Sequence, residues 1–180
     1  MQYPTWFIAR VPRVINSEGK VNTIPVLWAD YSARYTYLFS YAVIELLQLS
    51  KNQTKTAKHL NTSFDVVNAI MTKSVERGLT LRDPNTPIHS IGIDEKAFQR
   101  GHKYCTIITD ATNKRILEIV ADRTKDAAKQ AIDASYAERM NGSIQELKTI
   151  AKGFKNITNF RIAILFHYGG LNLIPPLNFK

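Results

Sequence analysis

The sequence predicts a mixed α+β fold, on three observations. Short apolar runs broken by turn residues occupy residues 1–30. Apolar residues then recur at three- and four-residue steps from Tyr35 to Gly78, and alternating, β-rich runs follow a proline-bearing linker. At 180 residues the chain has the size of one ordinary domain or of two small ones. The expected division is an N-terminal β segment at 1–34, a helical unit at 35–81 and a strand-and-helix unit at 88–180.

The elements follow in order. Trp6-Phe7-Ile8-Ala9-Arg10-Val11, Val14-Ile15 and residues 21–27 read as short strands, with Asn16-Ser17-Glu18-Gly19-Lys20 as a hairpin turn. Leu38, Tyr41, Ala42, Glu45, Leu46 and Leu49 mark the stripe of a first helix. Breaks at Ser50-Lys51-Asn52 and Asn61-Thr62-Ser63 divide the helical region into three. Two prolines in Arg82-Asp83-Pro84-Asn85-Thr86-Pro87 bar both helix and central strand. Residues 88–94 then alternate and form a strand that Asp94 ends. Residues 104–109 and 115–120 flank the turn Asp110-Ala111-Thr112-Asn113-Lys114, which makes three consecutive antiparallel strands. A helix over 124–134, begun by Asp122 or Thr124, and a longer amphipathic one over about 135–151 with Gly153 past its end complete the reading.

Composition removes several classes. The longest apolar run, Ile162-Ala163-Ile164-Leu165-Phe166, is far short of the ~20 residues that span a bilayer. The start has no basic stretch followed by an apolar one, so no secretory signal is expected. Cys105 alone can form neither an internal disulfide nor a cysteine-based zinc site. The expectation is a cytoplasmic, reduced protein with no membrane partner.

Charge is the informative departure from average. Lys and Arg number 24 against 15 Asp and Glu, a net +9, which favours a polyanionic partner. The surplus is not uniform: residues 51–79 carry net +3 and residues 139–161 net +4, while residues 80–138 hold nine charges of each sign. Two basic segments thus flank an acid-rich centre.

Residues 53–77 have the dimensions of a helix-turn-helix. Ala57 falls where the helices cross most closely, and Leu60, Val67 and Ile70 fall at spacings that fill the small core between them. Asn61 sits where the turn needs a left-handed backbone, and Ser63 can cap the second helix. This arrangement would bring Phe64, Asp65, Asn68, Ala69 and Thr72 to a DNA major groove, with Lys55, Lys58 and Lys73 reaching phosphates. Asn68 is the candidate for reading adenine. A helical hairpin with a solvated basic face fits the same spacing.

Two acids of this centre stand out. Asp94, after Ile91-Gly92-Ile93, is placed to hold a divalent metal beside a sheet edge, or is a surface acid at a strand end. Glu138 lies on the last long helix, whose buried stripe is Ala137, Met140, Ile144, Leu147, Ala151 and Phe154. Its polar neighbours Asn141, Gln145, Lys148 and Lys152 suit a metal beside a phosphodiester, or simply solvent.

Several strings carry a family resemblance. They are Val26-Leu27-Trp28-Ala29-Asp30 with Arg34-Tyr35-Thr36, the helix-turn-helix, Ser74-Val75-Glu76-Arg77-Gly78-Leu79, Ile91-Gly92-Ile93-Asp94-Glu95-Lys96 and Gly101-His102-Lys103-Tyr104. Ala137-Glu138-Arg139-Met140-Asn141-Gly142-Ser143-Ile144-Gln145, Lys152-Gly153-Phe154 and Asn159-Phe160-Arg161-Ile162-Ala163-Ile164-Leu165 continue the series. In this order they resemble the bacterial insertion-sequence transposases of the ISL type. The resemblance implies an RNase H-like catalytic unit in residues 88–180, in which Asp, Asp and Glu hold two Mg²⁺ or Mn²⁺ ions and cut and join transposon ends.

By that resemblance Asp94 is the first Asp and Glu138 the final Glu, both as catalytic and as metal-binding residues. The second Asp has no counterpart. Forty-four residues separate the two acids; Asp110 lies in the wrong element, and Asp133 would diverge from Glu138 on a continuous helix. An internal deletion near residues 130–133 accounts for this, and leaves the RNase H-like unit incomplete and the metal not productively held. The zinc finger that begins such transposases is absent from residues 13–19, which hold no Cys, so the start is read as truncated or eroded and zinc is not expected. The implied partners are the terminal inverted repeats of a transposon as double-stranded DNA, a second copy of the chain, and a full-length transposase. The expected function is DNA binding without catalysis, the alternative a DNA-binding regulator or repressor with no catalytic role.

Overall fold

In a computed structural model, residues 8–31, 33–83, 85–99, 103–120, 154 and 156–176 are described. Within them the chain is α+β, with two small antiparallel sheets and four helices. Strands β1 (Arg13–Ile15) and β2 (Val21–Thr23) form the hairpin expected from its turn. Asn16 makes that turn: its Oδ1 accepts from the backbone N–H of Glu18 (3.1 Å) and Lys20 (2.8 Å), and Gly19 supplies a φ of +77°. The hairpin is shorter than expected. Residues 8–12 are not strand, and the pairing ends with Ile24 N–H on the Pro12 carbonyl (3.1 Å), because Pro12 and Pro25 cannot donate to a ladder.

Helix α1 (Tyr37–Ser50) begins at Thr36, whose hydroxyl accepts from Phe39 N–H, and ends where Lys51 turns left-handed at φ +51°. Its buried face differs from the one expected. Ser40, Val43, Ile44 and Leu47 point inward, whereas Leu38 is 63% and Leu49 83% exposed. Both stripes obey the helical period. The buried one is the face that packs against α3, and Ser40 enters the core at little cost because its hydroxyl donates to the Thr36 carbonyl (3.0 Å).

Helices α2 (Gln53–His59) and α3 (Phe64–Leu81) stand at the two predicted positions. Strands β3 (Ile91–Gln99), β4 (Lys103–Asp110) and β5 (Arg115–Val120) pair antiparallel in chain order, with β3 and β5 at the edges. Helix α4 (Ile157–Tyr168), which the sequence reading did not place, is capped by Asn156 and closed by Gly169-Gly170, the latter at φ +59°. One hydrophobic cluster joins α1, α3, β4, β5 and α4, with Phe160, Leu47, Met71, Ile107 and Ile116 among its fully buried members. The expected helices over 124–134 and 135–151 lie outside the described residues. No helix among the described residues is long and apolar enough to cross a membrane.

Polar anchors tie the elements together. Arg82, inside the expected linker, donates to the carbonyls of Leu117 (3.0 Å) and Gly169 (2.8 Å), binding the end of α3 to β5 and α4. Arg161 of α4 pairs with both oxygens of Glu118 on β5, the Nη2–Oε2 contact being 2.7 Å. Burial would raise the Glu118 carboxyl, but hydrogen bonds from Arg161 and from Ile119 N–H hold it below its ordinary value.

Asp110 anchors the β4–β5 turn. Fully buried, it accepts from Asn113 N–H (3.0 Å), Asn113 Nδ2 (2.8 Å) and Arg115 Nε (3.2 Å). Burial again opposes ionisation, and these donors outweigh it, so its pKa is lowered. A carboxyl lowered in the folded state stabilises above its unfolded pKa and loses that contribution as pH falls through its folded one. Asp110→Ala is expected to cost about 2–3 kcal/mol near neutral pH, since three donors lose a buried acceptor. Thermal melts should show that difference shrinking as pH drops below the carboxylate range; a difference independent of pH would contradict the account.

Candidate nucleic-acid interface

The α2–α3 pair is built by local chemistry. Asn52 Oδ1 accepts from Lys55 N–H (2.9 Å) and starts α2, while Lys58 and His59 occupy its last turn, where the helix dipole favours positive charge. Thr56 is buried, its hydroxyl 2.9 Å from that of Ser50, which fixes α2 against the end of α1. The helix closes with Thr62 N–H on the Ala57 carbonyl (2.9 Å), and Asn61 takes φ +50°. Ser63 Oγ accepts from Val66 N–H and opens α3. Ala57, Val67 and Ile70 are buried as the spacing required, with Leu60 packed against them.

The solvent side of α3 follows from its period. Val67, Ile70, Met71, Ser74, Val75 and Gly78 face inward. Phe64, Asp65, Ala69 and Lys73 are exposed and Asn68 and Thr72 half-exposed, so every described side chain proposed for the groove is accessible. Lys55 and Lys58 are exposed on α2 beside them. Asp65 lies in the first turn of α3, where a carboxylate is favoured by the dipole and would repel a phosphate. Lys148 and Lys152 lie outside the described residues.

Lys73 has neighbours that the sequence did not reveal. Its Nζ is 3.8 Å from Asp30 Oδ2 and 6.0 Å from the centre of the Tyr35 ring. The other oxygen of Asp30 accepts from the Tyr37 hydroxyl (2.9 Å), and Tyr37 N–H donates to the Trp28 carbonyl (2.8 Å). Burial, then the Asp30 hydrogen bond and charge, raise the Tyr37 hydroxyl above its ordinary value. Trp28-Ala29-Asp30 is thereby fastened to α1 and α3. Arg77 donates to the Leu173 carbonyl, and burial lowers its pKa against the pull of Asp30. These contacts give a packing role to two of the strings that carried the resemblance.

The acidic centre departs from expectation. Asp94 lies within the nine-residue strand β3, paired with Ile107, rather than at a strand end. Cross-strand partners share a sheet face, so Asp94 lies on the face of Ile107 and Ile119, both buried. Polar residues at 94–96 look like the end of a strand, yet an edge strand tolerates charge. Asp110 pairs with Ile91 and Glu118 with Ile108, which puts both on the opposite face, each already held by other side chains. Among the described residues no group of three His, Cys, Asp or Glu could hold a metal ion. Glu138 lies outside them. The described carboxylates therefore do not fit a two-metal centre around Asp94.

Comparisons with known proteins agree with the strings quoted above. Residues 91–135 match the model of a transposase family, the DDE type of the ISL3 group. The transposase for insertion sequence element IS1557 of Mycobacterium tuberculosis is 27% identical over 131 residues, which cover 73% of this chain and 29% of the relative. That for IS1001 of Bordetella parapertussis is 25% identical over 125 residues, 69% of this chain and 29% of the relative. The chain thus spans about three tenths of the length of these curated relatives. No solved structure matches it. On these matches the chain is similar to insertion-sequence transposases, and its residues 91–135 are similar to an ISL3-type transposase domain.

Proposed function

We propose that the chain binds double-stranded DNA at the terminal inverted repeats of an insertion sequence, using α2 and α3 as a helix-turn-helix, and does so without cutting it. The observation that carries this reading is the α2–α3 pair. Asn61 and Ser63 turn the chain within four residues, and the outer face of α3 stays open beside Lys55 and Lys58. The loss of catalysis is supported by the spacing of the acids and by the family match, which stops at residue 135 beside the proposed junction at 130–133. Mg²⁺ or Mn²⁺ is the ion that the family resemblance implies, with Asp94 and Glu138 as its remaining ligands. Such a protein would act in the cytoplasm and compete for transposon ends with a full-length transposase, alone or paired with it or with a second copy. Among the described residues Asp94 shares its sheet face with no other carboxylate, which also suits a regulator whose acidic centre is structural.

Two substitutions test the assignment. Replacing Lys55 and Lys58 together by alanine should weaken binding roughly tenfold on every sequence, because lysines at phosphates position the protein without reading bases. Asn68→Ala should instead reduce the preference for the inverted repeat over random duplex by about 1–3 kcal/mol. Gel-shift titrations of both variants on both DNAs separate the effects. Identical losses on specific and random DNA would mean that α3 does not read sequence.

A further inference from the structure

A groove of about 260 Å³ lies beside α3, lined among others by Trp28, Asp30, Tyr31, Arg34, Tyr35 and Thr36. It is smaller than the pockets that take drug-sized ligands, and so has room for a single flat ring system. Trp28 is 50% and Tyr31 62% exposed, an unusual state for two large aromatic side chains in one short segment. Arg34 is exposed next to them. Continuity with the proposed DNA surface is direct: Lys73, on the open face of α3, contacts both Asp30 and the Tyr35 ring, which belong to the groove lining.

We infer that this groove takes one unpaired nucleobase from the DNA strand held by α2 and α3. The inference rests on the DNA reading above and adds a second site to it. Aromatic rings offer a stacking surface that any base can use, and an adjacent arginine suits the flanking phosphate. The Asp30 carboxylate decides which part of the nucleotide enters. Even with Lys73 3.8 Å away it offers only hydrogen-bond acceptors, which suit an amino-bearing base and not a phosphate, so the ring goes in and the backbone stays at Arg34. Tyr37 holds one Asp30 oxygen, which fixes the carboxylate for that contact.

The test uses the full chain with three probes, the first two being a 20-base-pair duplex of mixed sequence and the same duplex with a two-adenine bulge. In a third probe 2-aminopurine replaces one bulged adenine, so that stacking appears as quenched fluorescence. Wild type should bind the bulged duplex about tenfold more tightly than the paired one and quench the probe. Trp28→Ala and Tyr31→Ala should each reduce that advantage at least threefold and relieve quenching, while leaving affinity for the paired duplex unchanged. Tyr31 is largely solvated, so its variant keeps the test valid should Trp28→Ala fail to fold. Equal wild-type binding to paired and bulged DNA, or no effect of either variant on the bulge advantage, overturns the base site alone. No wild-type binding to either DNA overturns the DNA reading and the base site with it.

Discussion

Offered labelled insertion-sequence ends with Mg²⁺ or Mn²⁺, the purified chain will neither nick nor join strands. Two-metal phosphodiester chemistry needs carboxylates that bridge ions ~3.5–4 Å apart, so that attacking and leaving oxygens are both stabilised. Asp94, the first acid by the resemblance, lies on the covered face of β3, and its direct cross-strand neighbour is the buried Ile107. Asp110 and Glu118 face the other way and are engaged by Arg115 and Arg161. Glu138 could supply a second carboxylate, but the pair would still lack a bridging ligand, and two carboxylates with mostly water ligands hold Mg²⁺ weakly. The expected result is product at the level of a no-protein control. Metal-dependent cleavage that disappears in Asp94→Ala would show the triad to be complete, with Asp133 the first residue to examine.

Gly78→Val will lower stability by about 3 kcal/mol, enough to move the melting temperature down roughly 6–12 °C in a chain of this size. A Cβ at Gly78 would sit 2.8 Å from Leu171 Cβ and 3.1 Å from the Asn172 carbonyl oxygen. Both contacts involve atoms at or next to the backbone, so the segment after α4 must move away from α3. Arg77 holds that same segment through the Leu173 carbonyl, which limits how far it can yield. Gly78→Ala should cost less, because alanine regains about 1 kcal/mol of helix propensity. Ala69→Val, on the exposed side of the same helix, should cost only about 0.5 kcal/mol. Thermal melts of the three variants distinguish close packing from helix propensity. Equal costs at Gly78 and Ala69 would contradict the packing account.

What could be read from the sequence was what neighbouring residues decide among themselves. Asn61 in a left-handed turn and Ser63 as a cap are local events, and both occur at the predicted positions. The hairpin turn at Asn16 and the three-strand meander are local in the same sense. The buried face of α1 is not. Leu38 and Leu49 are as apolar as Val43 and Leu47, and only the placement of α3 decides which pair is covered. Helix α4 escaped because its run from Phe160 to Phe166 is buried almost all round and shows no amphipathic period. Asn156 and Gly169-Gly170 were its readable ends. The joining of Asp30 to Lys73 and Tyr37 spans 43 and seven residues of sequence, and no local pattern announces it.

The central claim is that α2 and α3 form a DNA-binding surface, and its most direct test is the salt dependence of binding to duplex DNA. Lys55, Lys58 and Lys73 at three phosphates imply a slope of log K against log salt of about −2.7, a loss of roughly 40-fold between 50 and 200 mM. Alanine at Lys55 and Lys58 should flatten that slope to about −0.9, the value for one remaining contact. Fluorescence anisotropy with a labelled inverted-repeat duplex measures both. An affinity unchanged over that range of salt, or a slope unaltered by removal of the two lysines, would contradict the assignment of this surface to DNA.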